Sequence, residues 1–260
     1  MEKYQLIFWT TTTGVLSAVA TGLGAIPVAY IRQGPKIVRA FSGAVAAGMM
    51  ISASVFSLAQ EGISLKVERP TAPYEVIIGL MLGAAFFWYV DKYFSESDFK
   101  FVNSAKNSTS QRRGFLIFLA MFIHSFPEGV AIGVGFGTGD FNFGLIMALA
   151  ISVHNIPEGI AISLPLRAEG ESFLKCFFLS ILSSVPQPLA AVPSGLAVWF
   201  FKPLLAMGLG FAGGAMIYLV VLELIPEALE EGGRSLTAWG VMVGLGGMLL
   251  ITSLLNLIKV

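Results

Sequence analysis

Apolar residues run along this chain in eight stretches, each about as long as a membrane helix: 6–31, 37–60, 74–94, 114–136, 143–166, 173–201, 203–229 and 236–258. A bilayer core about 30 Å thick needs about 20 mostly apolar residues per helix, so each stretch predicts one span. Segments 6 and 7 run together through Phe201, Lys202 and Pro203, where the lysine and proline mark a turn. The longest polar stretch, 95–113, is rich in Ser, Lys and Asn and predicts a loop. The first stretch follows Met1, Glu2 and Lys3 and continues to about Ile31. That is too long for a cleaved signal, so it reads as a first spanning helix.

Lysine and arginine favour the cytoplasmic side of a membrane. Eleven of the sixteen fall in the loops after segments 1, 3, 5 and 7. Both termini are therefore expected outside, with the 95–113 loop in the cytoplasm. Ala47-Gly48-Met49-Met50-Ile51 in segment 2 resembles Gly213-Gly214-Ala215-Met216-Ile217 in segment 7, and the same 166-residue offset relates Glu61 to Glu227. These two segments cross in opposite directions, so the relation is an inversion. The expected fold is an all-α integral membrane protein of eight helices in a 3+2+3 arrangement, with segments 4 and 5 central. Inverted repeats with a midplane site at their interface mark transporters.

Composition agrees: the chain is 55% hydrophobic and 12% charged, with a mean hydropathy of +0.79. Formal net charge is zero and no basic run is present, which argues against a nucleic-acid partner. Cys176 is the only cysteine, so an internal disulfide and a thiolate cluster are excluded. The lipid bilayer is the expected surroundings, in the plasma (cell inner) membrane.

The chemistry concentrates in one phrase written twice. His124-Ser125-Phe126-Pro127-Glu128-Gly129 and His154-Asn155-Ile156-Pro157-Glu158-Gly159 lie 30 residues apart and contain the only two histidines. An ionisable group at a helix centre in a membrane costs roughly 2.5–3.5 kcal/mol on insertion scales, so it points to function. His and Glu at i and i+4 share one helix face. Segments 4 and 5 are joined by the short link 137–142, so the four side chains can meet at one depth. Pro127 and Pro157 each remove a helical donor and free a carbonyl, and Gly129 and Gly159 permit close helix approach. Two carboxylates and two neutral imidazoles sum to −2, which one divalent cation neutralises. Such ligands suit Zn²⁺ best, with Fe²⁺, Mn²⁺, Co²⁺ or Cd²⁺ also compatible. Proton and metal then compete for the same atoms.

These residues resemble the ZIP family (Zrt-, Irt-like proteins) of divalent metal transporters, in its short prokaryotic-type branch. The likeness covers the span count, the topology and both HxxPEG phrases. It implies movement of zinc or a similar ion toward the cytoplasm through His124, Glu128, His154 and Glu158, with the ion as cargo and no separate cofactor. Some members hold a second metal beside the first, bridged by the two glutamates. Here that position would use Ser125, Asn155 and Gln187, where relatives often carry asparagine in place of Ser125 and glutamate in place of Gln187. All three are neutral in this chain, so a second M²⁺ would leave the cluster near +2. One tight site and at most a weak second one are expected. The histidine-rich loop common in relatives has no counterpart in 95–113, so metal sensing there is not expected.

Glu223 and Glu227 fall toward the cytoplasmic end of segment 7 and Glu61 at the outer end of segment 2, as candidate exit and entrance. Two other readings of the site remain. A membrane-embedded zinc hydrolase needs an open coordination position and usually a further general base. No HExxH phrase is present, and four ligands saturate a tetrahedral ion, so an enzyme is not expected. A proton-coupled carrier could use the His/Glu pairs without metal. A homodimer is compatible with the sequence and not specified by it.

Overall fold

The computed structural model describes residues 1–30, 36–65, 69–104, 109–168 and 170–258, with backbone alone for 91, 93–104, 109–117, 120, 165, 168 and 258. Every regular element among them is helical, with no strand. The elements are α1 (Lys3–Leu23), α2 (Ala25–Ala29), α3 (Lys36–Ser52), α4 (Gln60–Ser64), α5 (Ala72–Ser104), α6 (Thr109–Gly137), α7 (Phe141–Ala168), α8 (Phe173–Ser183), α9 (Pro186–Phe200), α10 (Leu204–Leu219) and α11 (Ile225–Ile258). Among the described residues, six stretches are long and apolar enough to cross a membrane: Lys3–Ala29, Lys36–Ser64, Ala72–Val90, Phe141–Leu164, Phe173–Phe200 and Leu204–Leu257. Large apolar side chains also cover the outside. Ile77, Ile78, Met81 and Leu82 of α5, Leu189 and Phe200 of α9, and Trp239 and Leu250 of α11 are all exposed, the pattern of a helix facing lipid.

Three boundaries differ from the sequence expectation. Segment 6 is broken at Ser184–Val185 into α8 and α9 because Pro186 and Pro188 follow at once. Segments 7 and 8 run on through one helical stretch, with the break reduced to Gly233 at φ 76°, ψ 172°, a backbone conformation that suits glycine. The expected loop 95–113 narrows: α5 continues to Ser104 and α6 starts at Thr109, leaving 105–108 outside the described residues. No glycine or proline lies between Gly83 and Gly114 to stop the helix earlier.

The internal similarities extend to geometry. Between α3 and α4 the chain winds as a π-helix over Ala53–Ala59, and between α10 and α11 over Val220–Leu224. Moved back by 166 residues, the second falls on Ser54–Leu58, inside the first. The most extensive packings pair α3 with α11 and α5 with α10. At Gly48 a side chain would strike the Val241 carbonyl, and at Gly214 the Leu80 carbonyl; likewise Gly244 abuts the Val45 carbonyl and Gly83 that of Phe211. Gly48 and Gly214, like Val45 and Phe211, stand 166 residues apart. Leu80 and Val241 stand 161 apart, as do Gly83 and Gly244, within the paired runs Gly79-Leu80-Met81-Leu82-Gly83 and Gly240-Val241-Met242-Val243-Gly244. The two helix pairs thus repeat one contact scheme.

The remaining helices form a second group in which α6 packs on α9, and α1 packs on both α7 and α9. The buried core running through it includes Leu6, Ile132, Phe136, Met147, Ile151 and Ile162. Gly83→Val is expected to lower thermal stability in detergent by about 1–3 kcal/mol, because the added atoms meet main chain. Gly43→Ala, where a Cβ meets nothing within 4 Å, should be neutral. Equal stabilities for the two variants would contradict this packing.

Candidate metal centre

Helices α6 and α7 are antiparallel neighbours joined by residues 138–140, and this link is firmly built. The Thr138 hydroxyl donates to the Gly135 carbonyl at 2.7 Å, and Asp140 Oδ1 caps α7 by accepting from the backbone amides of Asn142 at 2.9 Å and Phe143 at 3.3 Å. Lys202 Nζ donates to the carbonyls of Gly137 at 2.9 Å and Thr138 at 3.1 Å, a cation placed where the dipole of α6 favours one. The connection therefore sets the two repeated phrases side by side.

All four candidate ligands are buried: His124, Glu128 and His154 are 0% exposed and Glu158 is 1% exposed. Three of them converge. Ligand atoms of Glu128, His154 and Glu158 lie within 4.8 Å of one another, and His154 Nε2 is 3.1 Å from Glu128 Oε1. Glu158 Oε1 has no hydrogen-bond partner, an uncommon condition for a buried oxygen and one a cation would relieve. His124 is one turn before Glu128 and is turned elsewhere: its Nδ1 faces Glu223 Oε2 at 3.7 Å, while it still interacts electrostatically with Glu158. The structure thus places a two-carboxylate, one-imidazole group at the centre and a second imidazole facing an acid of the π-helical turn Val220–Leu224.

The glycines of the two phrases have matching neighbours. A side chain at Gly129 would strike the main chain of Gln187 on α9, and one at Gly159 the Thr21 carbonyl on α1. Each phrase can approach its neighbouring helix only because these positions lack a Cβ. Thr21 and Gln187 are themselves 166 residues apart, each two residues before one of the related runs Leu23-Gly24-Ala25-Ile26-Pro27 and Leu189-Ala190-Ala191-Val192-Pro193. That similarity in segments 1 and 6 is the signal that could have found the polar residues of α1.

Ser125, Asn155 and Gln187 are engaged with the protein itself. The Ser125 hydroxyl donates to the Met121 carbonyl at 3.0 Å and lies 3.4 Å from that of Ser184, which pairs with Thr21 at 2.7 Å. Asn155 Nδ2 donates to Ser17 and Gln187, and Gln187 Nε2 donates to Glu128 Oε2. Ser17, Thr21 and Ser184, all buried, are polar contributors that the motif alone did not reveal. Glu61 is not part of the central group; it lines a cavity of about 330 Å³ with Arg69, Thr138 and Lys202. Glu227 is half-buried near the start of α11.

A family model described as ZIP zinc transporter matches residues 102–252, more than half of the chain and both repeated phrases. The chain belongs to the ZIP family. It is similar to the zinc transporter GufA of Myxococcus xanthus, at 34% identity over 88% of this chain and 92% of that protein. Zinc transporter ZIPB of Bordetella bronchiseptica is 31% identical over 94% of this chain and 80% of its own length. A putative zinc transporter of Arabidopsis thaliana is 35% identical over 91% of this chain, which spans only 37% of that longer protein. ZIP proteins are transporters rather than enzymes.

Removing a converging ligand should cost more than the about 10–100-fold in metal affinity that follows loss of a group that merely orients one. Glu158→Ala and His154→Ala are expected to lose high-affinity Zn²⁺ binding in equilibrium dialysis of the purified protein. Wild-type affinity in both variants would show that the group holds no metal.

Proposed function

We propose that this ZIP protein carries a divalent cation, zinc before Fe²⁺, Mn²⁺ or Cd²⁺, across the membrane toward the cytoplasm. The ion is held between α6 and α7 by Glu128, His154 and Glu158, with His124 completing the His₂Glu₂ set as cargo enters. One observation carries this reading: two carboxylates and an imidazole converge, fully buried, at matched positions of two HxxPEG phrases. An anionic cluster in an apolar bundle is costly unless a cation compensates it. The names of the relatives point to the same cargo.

Eight spans follow if the stretch Leu204–Leu257 divides at Gly233 and α6, 29 residues long, is added to the rest. The repeated π-helical turns and the paired glycine contacts support a 3+2+3 arrangement with an inverted repeat. In that frame the lysine and arginine bias puts both termini outside and the α5–α6 connection inside, with the chain in the cell inner membrane. Glu61 then stands at the outer mouth, and His124 hands the ion to Glu223 and on to Glu227.

Uptake into liposomes carrying the purified protein tests this. Zn²⁺ should enter in the wild type and not in Glu158→Ala. Glu223→Ala should slow uptake several-fold while leaving equilibrium Zn²⁺ binding in place, because Glu223 faces His124 and is not one of the three converging residues. Uptake unaffected by Glu158→Ala would overturn the assignment of the site. An unchanged rate in Glu223→Ala would remove that residue from the path.

A further inference from the structure

Four buried polar groups next to the metal centre form a chain with a defined direction. It begins at the Ser17 carbonyl on α1, which can only accept a hydrogen bond. The side-chain atom of Asn155 at 2.9 Å from that oxygen must therefore be Nδ2. The same nitrogen is 3.1 Å from Ser17 Oγ and 3.2 Å from the Gln187 side chain, whose facing atom is accordingly the acceptor Oε1. Gln187 is then left with Nε2 directed at Glu128 Oε2, to which it donates. The other oxygen of Glu128, Oε1, is the one beside His154 Nε2.

Asn155 Nδ2, Gln187 and Glu128 are each held by two partners, while Asn155 Oδ1 has no hydrogen-bond partner. Ser17, Asn155, Gln187 and Glu128 are each 0% exposed, so no solvent competes for their hydrogen bonds. Gln187 sits at the break between α8 and α9, where its amide donates to the Ser184 carbonyl at 3.0 Å and its own carbonyl abuts Gly129. A rotation of either amide would set donor against donor or acceptor against acceptor along the whole chain.

Resting on the metal-site reading above, we infer that the Ser17 carbonyl, Asn155 and Gln187 form a polarised relay that orients Glu128 for the cargo. Through these bonds Asn155 Nδ2 and the Gln187 amide act as positioning groups. The relay commits Oε2 of Glu128 to the protein and presents Oε1 to the ion beside His154. It also assigns α1, which carries none of the candidate ligands, a part in setting the geometry of the site. A second cation next to Glu128 would have to displace the Gln187 amide and break the relay.

Zn²⁺ affinity of the full purified chain, measured by chelator competition, tests the relay through a double-mutant cycle. Asn155→Leu and Gln187→Leu should each weaken binding about 10–100-fold, as loss of a ligand-orienting partner does. The double variant should fall little below the weaker single one, because both remove the same relay. Ser163→Ala, which breaks a buried hydroxyl pair on the same helix outside the relay, should bind as the wild type does. General loosening of the bundle would instead give additive losses and would extend to Ser163→Ala. If Asn155→Leu does not fold, Asn155→Ser, too short to bridge Ser17 and Gln187, takes its place in the cycle. Wild-type affinity in either single variant, or additive effects, would overturn the relay while leaving the metal site standing. Absence of Zn²⁺ binding by the wild type would overturn both.

Discussion

Two carboxylates and two imidazoles are buried inside a bundle whose outer surface is apolar, and the surrounding structure answers to that constraint. Left alone, each such group would cost several kcal/mol. Their spacing at i and i+4 brings them to one face of each helix, and the antiparallel α6–α7 pair brings the two faces together. Gly129 lets the Gln187 main chain approach closely enough for its side chain to reach Glu128, and Gly159 lets the main chain of Thr21 approach α7. What remains unsatisfied, including Glu158 Oε1, is the part of the cost that a divalent cation is proposed to remove.

The rest of the fold is a frame around this centre, built twice. Lipid offers no hydrophobic drive for helix association, so membrane helices associate through close packing at small residues and polar contacts. The α3–α11 and α5–α10 pairs meet at glycines in the same relative positions. Each contains or continues into a π-helical turn, and such turns are frequent at functional sites. One of the two turns carries Glu223, the acid facing His124. Arg39 at the start of α3 pairs with Glu231 on α11, tying the ends of that frame together beside the Gly233 break.

Much of this was legible in the chain. Apolar length predicted helical spans, and the doubled phrase predicted a buried group because ionisable residues are rarely placed in such stretches without purpose. The runs at 47–51 and 213–217 pointed to the contact scheme that the two helix pairs repeat. Less was visible where tertiary contacts decide. His124 and His154 occupy equal positions in their phrases, yet one converges with the glutamates and the other faces Glu223, because α6 and α7 have different neighbours. Asn155 and Gln187 have the composition of weak ligands, and only the location of the Ser17 carbonyl reveals them as hydrogen-bonded to the protein. The break in segment 6 followed from two prolines that were in plain view. The extension of α5 followed from the lack of any stop signal in a stretch whose polar composition suggested a loop.

The central claim is that one divalent ion sits among Glu128, His154 and Glu158. Anomalous diffraction from crystals grown with Zn²⁺ or Cd²⁺ tests it most directly. The account predicts one strong peak per chain at that position, with Gln187 still donating to Glu128. No peak there, or two equally occupied peaks flanking Glu128 and Glu158, would contradict it.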